Sequence, residues 1–226
     1  AIIGAGQLGS RHLQGLSRID RAIQISVFDP DKSSLETAKN RYREMPANSF
    51  VQSISFFESL TALNSDVDVA IVATHSEVRR KVVEELLEQV GVRFLILEKV
   101  AFQSVEDFQD VIDLLEKNGT KAWVNCTRRM YPFYKTLKQG LCSGEKVYMH
   151  VTGGGWGLAS NSIHMLDLFA FLTGENEIIL DGSDIDRGVQ ESKRNGFIEL
   201  SGNLRGETNS GCRVSLLDCK NAKTPD

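Results

Sequence analysis

Gly4-x-Gly6-x-x-Gly9, followed twenty residues later by Asp29, is the pattern in this sequence whose spacing carries the most definite chemistry. Gly4 suits a tight turn out of a strand, and Gly6 lets backbone approach a bound pyrophosphate. Gly9 lets a helix pack closely on a sheet. The N–H groups of Gly6, Gln7, Leu8 and Gly9 open that helix and have no intrahelical acceptor, so they can hold a phosphate. Asp29 closes the next strand, where a carboxylate accepts hydrogen bonds from a ribose 2′-hydroxyl and repels a 2′-phosphate. The set therefore predicts a dinucleotide site that takes NAD in preference to NADP. A methyltransferase places an acid similarly but usually has a looser glycine loop, and a flavin enzyme needs further binding segments.

Three other groupings are chemically suggestive. Glu98-Lys99 follows a hydrophobic run, so Lys99 would stand at the carboxyl edge of a sheet as a proton carrier. A solvated pair closing a strand is the plainer alternative. Thr74-His75 follows another such run and is expected to face the cofactor, with a loop histidine as the plain alternative. Asn161, His164 and Asp167 stand three apart on one helix. There His164 is either catalytic or a core histidine satisfied by Asp167. Before them, Gly153-Gly154-Gly155-Trp156-Gly157 gives a backbone a ligand can approach, with Trp156 either covering that ligand or buried in a connector. No HxH, HExxH or CxxC occurs, so no metal site is expected.

The elements that must position these residues alternate in the first half. Strands are expected at 1–3, 22–28, 51–56, 67–73, 92–97 and 122–125, with helices running to about 19 and over 34–42, 77–89 and 105–117. The rhythm is that of a doubly wound parallel sheet. After 123 it changes. Helices are expected over 132–139 and 162–172, and short strands over 146–152, 178–180, 197–200 and 213–217. The fold class is thus α/β, an N-terminal Rossmann-type doubly wound parallel sheet (1–122). A C-terminal α+β domain with a mostly antiparallel open sheet (123–226) follows it.

Composition excludes other classes. Hydrophobic residues make up 41% of the 226 and charged residues 25%, which supports a buried core and rules out a disordered chain. The formal charge of -4, without a basic tail, gives no footprint for nucleic acid. No apolar run reaches the roughly 18 residues of a membrane span. Cys126, Cys142, Cys212 and Cys219 make no regular framework, which points to a reducing, cytoplasmic setting. The sequence opens within a strand and breaks off after 221–226 with its last sheet unfinished, so residues are expected beyond both ends.

GAGQLGSRH (4–12), VFDPD (27–31), ATHSEVRRKVVEELLEQ (73–89), LEKVAF (97–102), NCTRRMYPFYKTLK (125–138) and GGGWGLASNSIHMLDLFAFLTG (153–174) occur in this order. Together they resemble the glucose-fructose oxidoreductase, inositol dehydrogenase and rhizopine-catabolism (Gfo/Idh/MocA) family of NAD(P)-dependent dehydrogenases, over nearly the whole sequence. The resemblance implies hydride transfer between NAD(H) and a hydroxyl or carbonyl carbon of a sugar, sugar derivative or cyclitol. It places the lysine of the family's Glu-Lys-Pro motif on Lys99 and the histidine of its second-domain helix on His164. Glu98 then belongs to the cofactor side. Arg129 or Arg128, with Trp156, Ser160 and Asn161, belongs to the substrate side. Lys99 would move the hydroxyl proton and His164 orient that oxygen, both facing one cleft. The resemblance also implies a homo-dimer or homo-tetramer through the C-terminal sheet. Three positions depart from the pattern. Val100 replaces the proline, which is expected to loosen Lys99, and His75 replaces a proline after Ala-Thr. Ser160 replaces an aspartate that many active members carry four residues before the histidine. That last change keeps a non-catalytic NAD(H)-binding sensor or scaffold as the alternative.

Overall fold

The computed structural model describes residues 1–63, 66–141, 144–192 and 196–219. Cys142 and the 221–226 segment lie outside them. The chain divides into two compact units, Ala1–Asn125 and Cys126–Asp226.

The first unit runs β1 (Ile2–Ile3), α1 (Gln7–Leu16), β2 (Ile23–Phe28), α2 (Lys32–Arg43), β3 (Val51–Phe57), β4 (Val67–Val72), α3 (Ser76–Gln89), β5 (Val92–Leu97), α4 (Val105–Asn118) and β6 (Lys121–Val124). Its six strands are parallel in the order β3-β2-β1-β4-β5-β6, the doubly wound arrangement that the alternating pattern implies. β1 is central, and its two residues are fully buried on opposite faces. Ile2 packs with Leu13, Ile25, Leu35 and Ala38 under α1 and α2. Ile3 packs with Val72, Val83, Leu86 and Val111 under α3 and α4. The order of strands reverses between β1 and β4, so the loops after them form the crevice where this architecture binds ligands.

The second unit opens with a 3-10 turn, Thr127–Met130, and continues with α5 (Pro132–Gly140), β7 (Tyr148–Gly153), α6 (Leu158–Thr173), β8 (Ile178–Ile185), β9 (Gln190–Glu191), β10 (Ile198–Glu199), β11 (Gly202–Thr208) and β12 (Arg213–Asp218). A four-stranded sheet has the order β7-β12-β11-β8. β8, β11 and β12 pair antiparallel, and β7 joins β12 parallel. Val214 and Leu216 of β12, with Met149 and Val151 of β7, pack toward Phe169 of α6.

Two differences from the sequence expectation have physical causes. β11 carries one large apolar residue, Leu204, and two glycines, so neither propensity nor alternation marks it as a strand. Yet it lies inside the sheet, and Gly206 is needed there. A Cβ at 206 would stand 2.8 Å from Ile178, 3.0 Å from Leu180 and 3.0 Å from Val214. The second difference is α6, which begins at Leu158 rather than near Ser162. Its first turn is held by carboxylates from distant strands, described below.

Packing in the first unit is very close at Gly9, where a Cβ would fall 1.7 Å from the Gly4 carbonyl oxygen. Backbone cannot yield there as a side-chain tip would. Gly9→Ala should therefore destabilise the first unit by about 1–3 kcal/mol or more, read from urea unfolding.

Candidate functional site

The crevice of the first unit is built at the ends of β1, β2, β4 and β5. α1 starts with Gly6 at its N-cap and no side-chain cap. Gly6, Gln7 and Leu8 are exposed, and the space a Cβ on Gly6 would enter is open for 4 Å. The helix thus presents bare N–H groups to open space. Asp29 stands beside this loop. Its Oδ2 accepts from the Ala5 N–H at 2.7 Å and its Oδ1 from the Asp31 N–H at 2.9 Å. A carboxylate has about four acceptor directions, so two remain for hydroxyl donors. Arg41 of α2 donates to Gln7 Oε1 at 2.7 Å and Ser10 Oγ at 2.6 Å. Thr74, after β4, packs against Gly4. Its hydroxyl is buried and finds no hydrogen-bond partner among the described residues. An uncapped helix start, an open cradle at Gly6 and an orphaned hydroxyl beside it fit a dinucleotide phosphate. His75 is exposed at the N-cap of α3 and makes no side-chain cap bond.

Glu98 turns inward rather than toward the crevice mouth and is only 5% exposed. Its Oε1 lies 2.6 Å from His12 Nε2 on α1 and accepts from Asn125 Nδ2 at 2.7 Å. Burial pushes its pKa up, but the hydrogen bonds from His12, Asn125 and the Lys99 amide N–H outweigh that and hold it below the usual carboxylate range. The carboxylate expected at the cofactor is therefore also the anchor of the residue that follows it.

Arg79 fixes that same segment from beneath. It is 2% exposed. Its Nη1 donates to the carbonyls of Glu98 (2.6 Å), Ala101 (2.9 Å) and Val100, and its Nη2 to that of Thr74. The Lys99–Val100 peptide is cis. The sequence, lacking a proline after Lys99, predicts a loosely posed lysine. Instead, the carbonyls on either side of Lys99 are tied to a buried guanidinium, and Glu98 receives the Lys99 N–H.

In the second unit Thr127, Arg128, Tyr131 and His164 line one concavity of about 140 Å³. Arg128, not Arg129, shares it with His164. Arg129 donates to Asp167 Oδ2 at 2.9 Å and to Asp167 Oδ1, a two-pronged ion pair within the unit. Asp167 is thus committed to Arg129 rather than held for His164. Trp156 packs on the core and donates its indole N–H to the Leu217 carbonyl at 3.0 Å. Asn161 Nδ2 donates to the Trp156 carbonyl at 2.6 Å. Ser160 and His164 both lie in α6, four residues apart.

Two further carboxylates organise this region. Asp218, 3% exposed, accepts from the N–H groups of Gly155 (2.6 Å) and Gly157 (2.9 Å). Glu199 Oε2 accepts from Ala159 (3.0 Å) and Ser160 (3.2 Å). Sequence reasoning missed both, along with His12, Arg41, Arg79 and Asn125. Only Arg79 left a signal: it continues the buried stripe of Val83 and Leu86 along α3, where a charge is out of place without partners. His12 meets Glu98 across 86 residues, which no local pattern records.

Comparison with known proteins agrees with the Rossmann-type fold of the first unit. A family model described as an oxidoreductase family with an NAD-binding Rossmann fold (GFO_IDH_MocA) matches residues 1–126. An uncharacterized oxidoreductase of Bacillus subtilis (strain 168) is 22% identical over 144 residues, which is 64% of this chain and 40% of that protein. The chain thus matches about two fifths of its curated relative. The myo-inositol dehydrogenase of Lactobacillus casei, solved with NAD(H) and myo-inositol, is similar in fold. Its TM-score is 0.72 at 19% identity, over 98% of this chain and 67% of that one. So is a UDP-N-acetylglucosamine 3-dehydrogenase from Acidithiobacillus ferrooxidans, with TM-score 0.71 at 20% identity over 99% and 67%.

The two anchors make separable predictions. Arg79→Met leaves four carbonyls, two buried and two partly buried, without that donor and should cost about 3 kcal/mol or more in urea unfolding. For Glu98 the folded pKa is lowered, so its contribution to stability is present above the unfolded carboxylate value and lost as pH falls through the folded one. His12→Ala removes a principal cause of the lowering while burial remains. Acid unfolding followed by circular dichroism should therefore begin at higher pH in that variant than in the parent.

Proposed function

Because the chain belongs to the Gfo/Idh/MocA oxidoreductase family, we propose that it moves a hydride between NAD(H) and a hydroxyl-bearing or carbonyl carbon of a sugar, sugar derivative or cyclitol. The observation that carries this reading is the ordered Glu98-Lys99 segment at the carboxyl edge of β5. It shares that edge with the bare start of α1 and with Asp29, so one edge holds a phosphate cradle, a ribose acceptor and a proton carrier.

Bound nicotinamide supplies the hydride acceptor or donor. The chain does the rest. In the oxidising direction the substrate C–H and O–H bonds break and a C=O bond forms. Lys99 takes the hydroxyl proton as a neutral amine, and it returns one as an ammonium in reduction. His164 orients the substrate oxygen, and Thr127, Arg128 and Tyr131, which share its concavity, bind neighbouring hydroxyls. The buried positions of Arg79 and Glu98 keep the Lys99 backbone from shifting as the proton moves. The likenesses to a myo-inositol dehydrogenase and a UDP-N-acetylglucosamine 3-dehydrogenase support the substrate class rather than any one compound.

The sheet of the second unit supports self-association. Its α6 face is packed, while Tyr148 is 66% and Ile179 73% exposed. We assign that outer face to a homo-dimer or homo-tetramer contact, checked by sedimentation of the full-length protein.

Two measurements test the catalytic reading. Lys99→Ala should lower NAD-linked turnover by roughly 100-fold or more while leaving NAD affinity nearly unchanged, since the phosphate donors lie at the start of α1. Lost affinity with retained turnover would reject the assignment. Competitive titration should show NAD(H) binding more tightly than NADP(H). Asp29→Ala should narrow that gap, because it removes a 2′-hydroxyl acceptor and leaves the Arg41 cation nearby.

A further inference from the structure

α1 and α2 lie over one face of the first sheet, where Leu13 of α1 shares a core with Leu35 and Ala38 of α2. Arg41 stands in the last turn of α2, and its carbonyl accepts from Gln14 Nε2 of α1 at 2.9 Å. Its guanidinium reaches back to the first turn of α1. There Nη2 donates to Gln7 Oε1 at 2.7 Å and Nη1 to Ser10 Oγ at 2.6 Å. Ser10 is fully buried and gives its own hydroxyl proton to the Gly6 carbonyl at 2.8 Å. The cation is thus fixed to the turn that opens the phosphate cradle.

Its acceptors there are both neutral, and no carboxylate pairs with Arg41 among the described residues. A guanidinium carries five N–H donors, so these two bonds leave three to give. The other cations of α2 are engaged nearby. Lys32 pairs with Glu58 at 3.4 Å, Lys39 with Glu36 at 2.5 Å, and Arg43 donates to Asn40 at 3.1 Å.

Asp29 is tied to the same loop from the β2 side, through the Ala5 N–H at 2.7 Å. Asp31 spends its oxygens on the N–H and hydroxyl groups of Ser33 and Ser34. The stretch from Ala5 to Ser10 therefore holds an anion near one end and a cation at the other, on the flank of α1 that faces β2 and α2. The two charges do not pair with one another among the described residues; each is bound to the loop instead. A ribose with its 2′-oxygen at Asp29 sets any group on that oxygen between a carboxylate that repels a phosphate and a guanidinium that attracts one.

We propose that Arg41, held by Gln7 and Ser10, is the cation of a latent 2′-phosphate site that Asp29 keeps shut, so that the cofactor preference is set by these two residues in opposition. The proposal rests on the dinucleotide reading of the cradle and needs nothing from the substrate side. The plain alternative is a tie between α1 and α2. A tie supports the cradle for every dinucleotide alike, whereas a phosphate ligand acts on the 2′-phosphorylated one.

Binding of NADH and of NADPH to the full-length protein, each followed by fluorescence of the reduced nicotinamide, separates the two. The readout is the ratio of the Kd for NADPH to the Kd for NADH. Asp29→Ala should lower that ratio by about 10-fold or more, and adding Arg41→Gln should raise it again by roughly 10-fold. The share due to Arg41 should shrink as salt rises from about 0.05 M to about 0.5 M. A ratio unmoved by Asp29→Ala, or one that Arg41→Gln leaves where Asp29→Ala put it, overturns the proposal. That holds even if both Kd values rise together, which is the mark of a tie. NADH binding with an unmoved ratio removes this proposal alone, while a parent protein that binds neither dinucleotide removes the cofactor reading and the proposal with it. Should the glutamine variant fail to fold, Arg41→Met, which keeps an apolar stem, is scored on the same ratio.

Discussion

A guanidinium taken out of water must find oxygen partners or destabilise the fold, and in the first unit Arg79 finds them on two loops at once. Its bonds to Glu98, Val100 and Ala101 hold the turn after β5, and its bond to Thr74 holds the turn after β4. Charge-assisted hydrogen bonds of this kind contribute about 1.5–3 kcal/mol each, enough in number to offset the desolvation of one cation. The turn after β4 borders the point where the sheet reverses its winding, between β1 and β4, and the turn after β5 lies next to it. A single side chain, rooted in α3, therefore sets the relative positions of the Thr74 segment and the Glu98-Lys99 segment. A lysine could not substitute, because its ammonium lacks the planar fork that reaches several carbonyls in one plane.

Glu98 completes this support from the other side. It joins α1 through His12 and the end of β6 through Asn125. The helix that would carry a phosphate at its N-terminus is thus tied, one turn further along, to the residue beside Lys99. Loss of proline after Lys99 does not free the lysine. Hydrogen bonds to the neighbouring carbonyls supply the rigidity that a proline ring would provide by fixing one dihedral.

The second unit solves a similar problem with acids. A glycine-rich turn has little side-chain packing to hold it, yet it must deliver α6 in register. Asp218 binds two of its amides, and Glu199 binds two amides at the start of the helix that follows. Both acids sit on strands that arrive later in the chain, so the turn depends on the sheet and on the paired β9 and β10. Removing either acid would leave two N–H groups short of that acceptor at or just before the start of α6.

What sequence alone determined is what short-range physics encodes. The alternation of apolar runs with amphipathic stretches specified the doubly wound sheet, because periods of 2 and 3.6 are visible within a few residues. The spacing of Gly4, Gly6, Gly9 and Asp29 specified the cradle, since a tight turn and a close helix contact admit little else. Lys99 was legible as the residue that closes a buried strand's carboxyl end, and His164 as one inside an apolar helix. The tertiary structure alone decided which polar groups hold them. Arg128 rather than Arg129 shares the His164 concavity, His12 and Asn125 hold Glu98, and Glu199 starts α6 four residues earlier than its own serines suggest. β11 became a strand because its neighbours supply both hydrogen bonds and side-chain contacts. Each of these rests on partners tens of residues apart, and a hydrogen bond between distant residues leaves no periodicity or spacing in the sequence to reveal it.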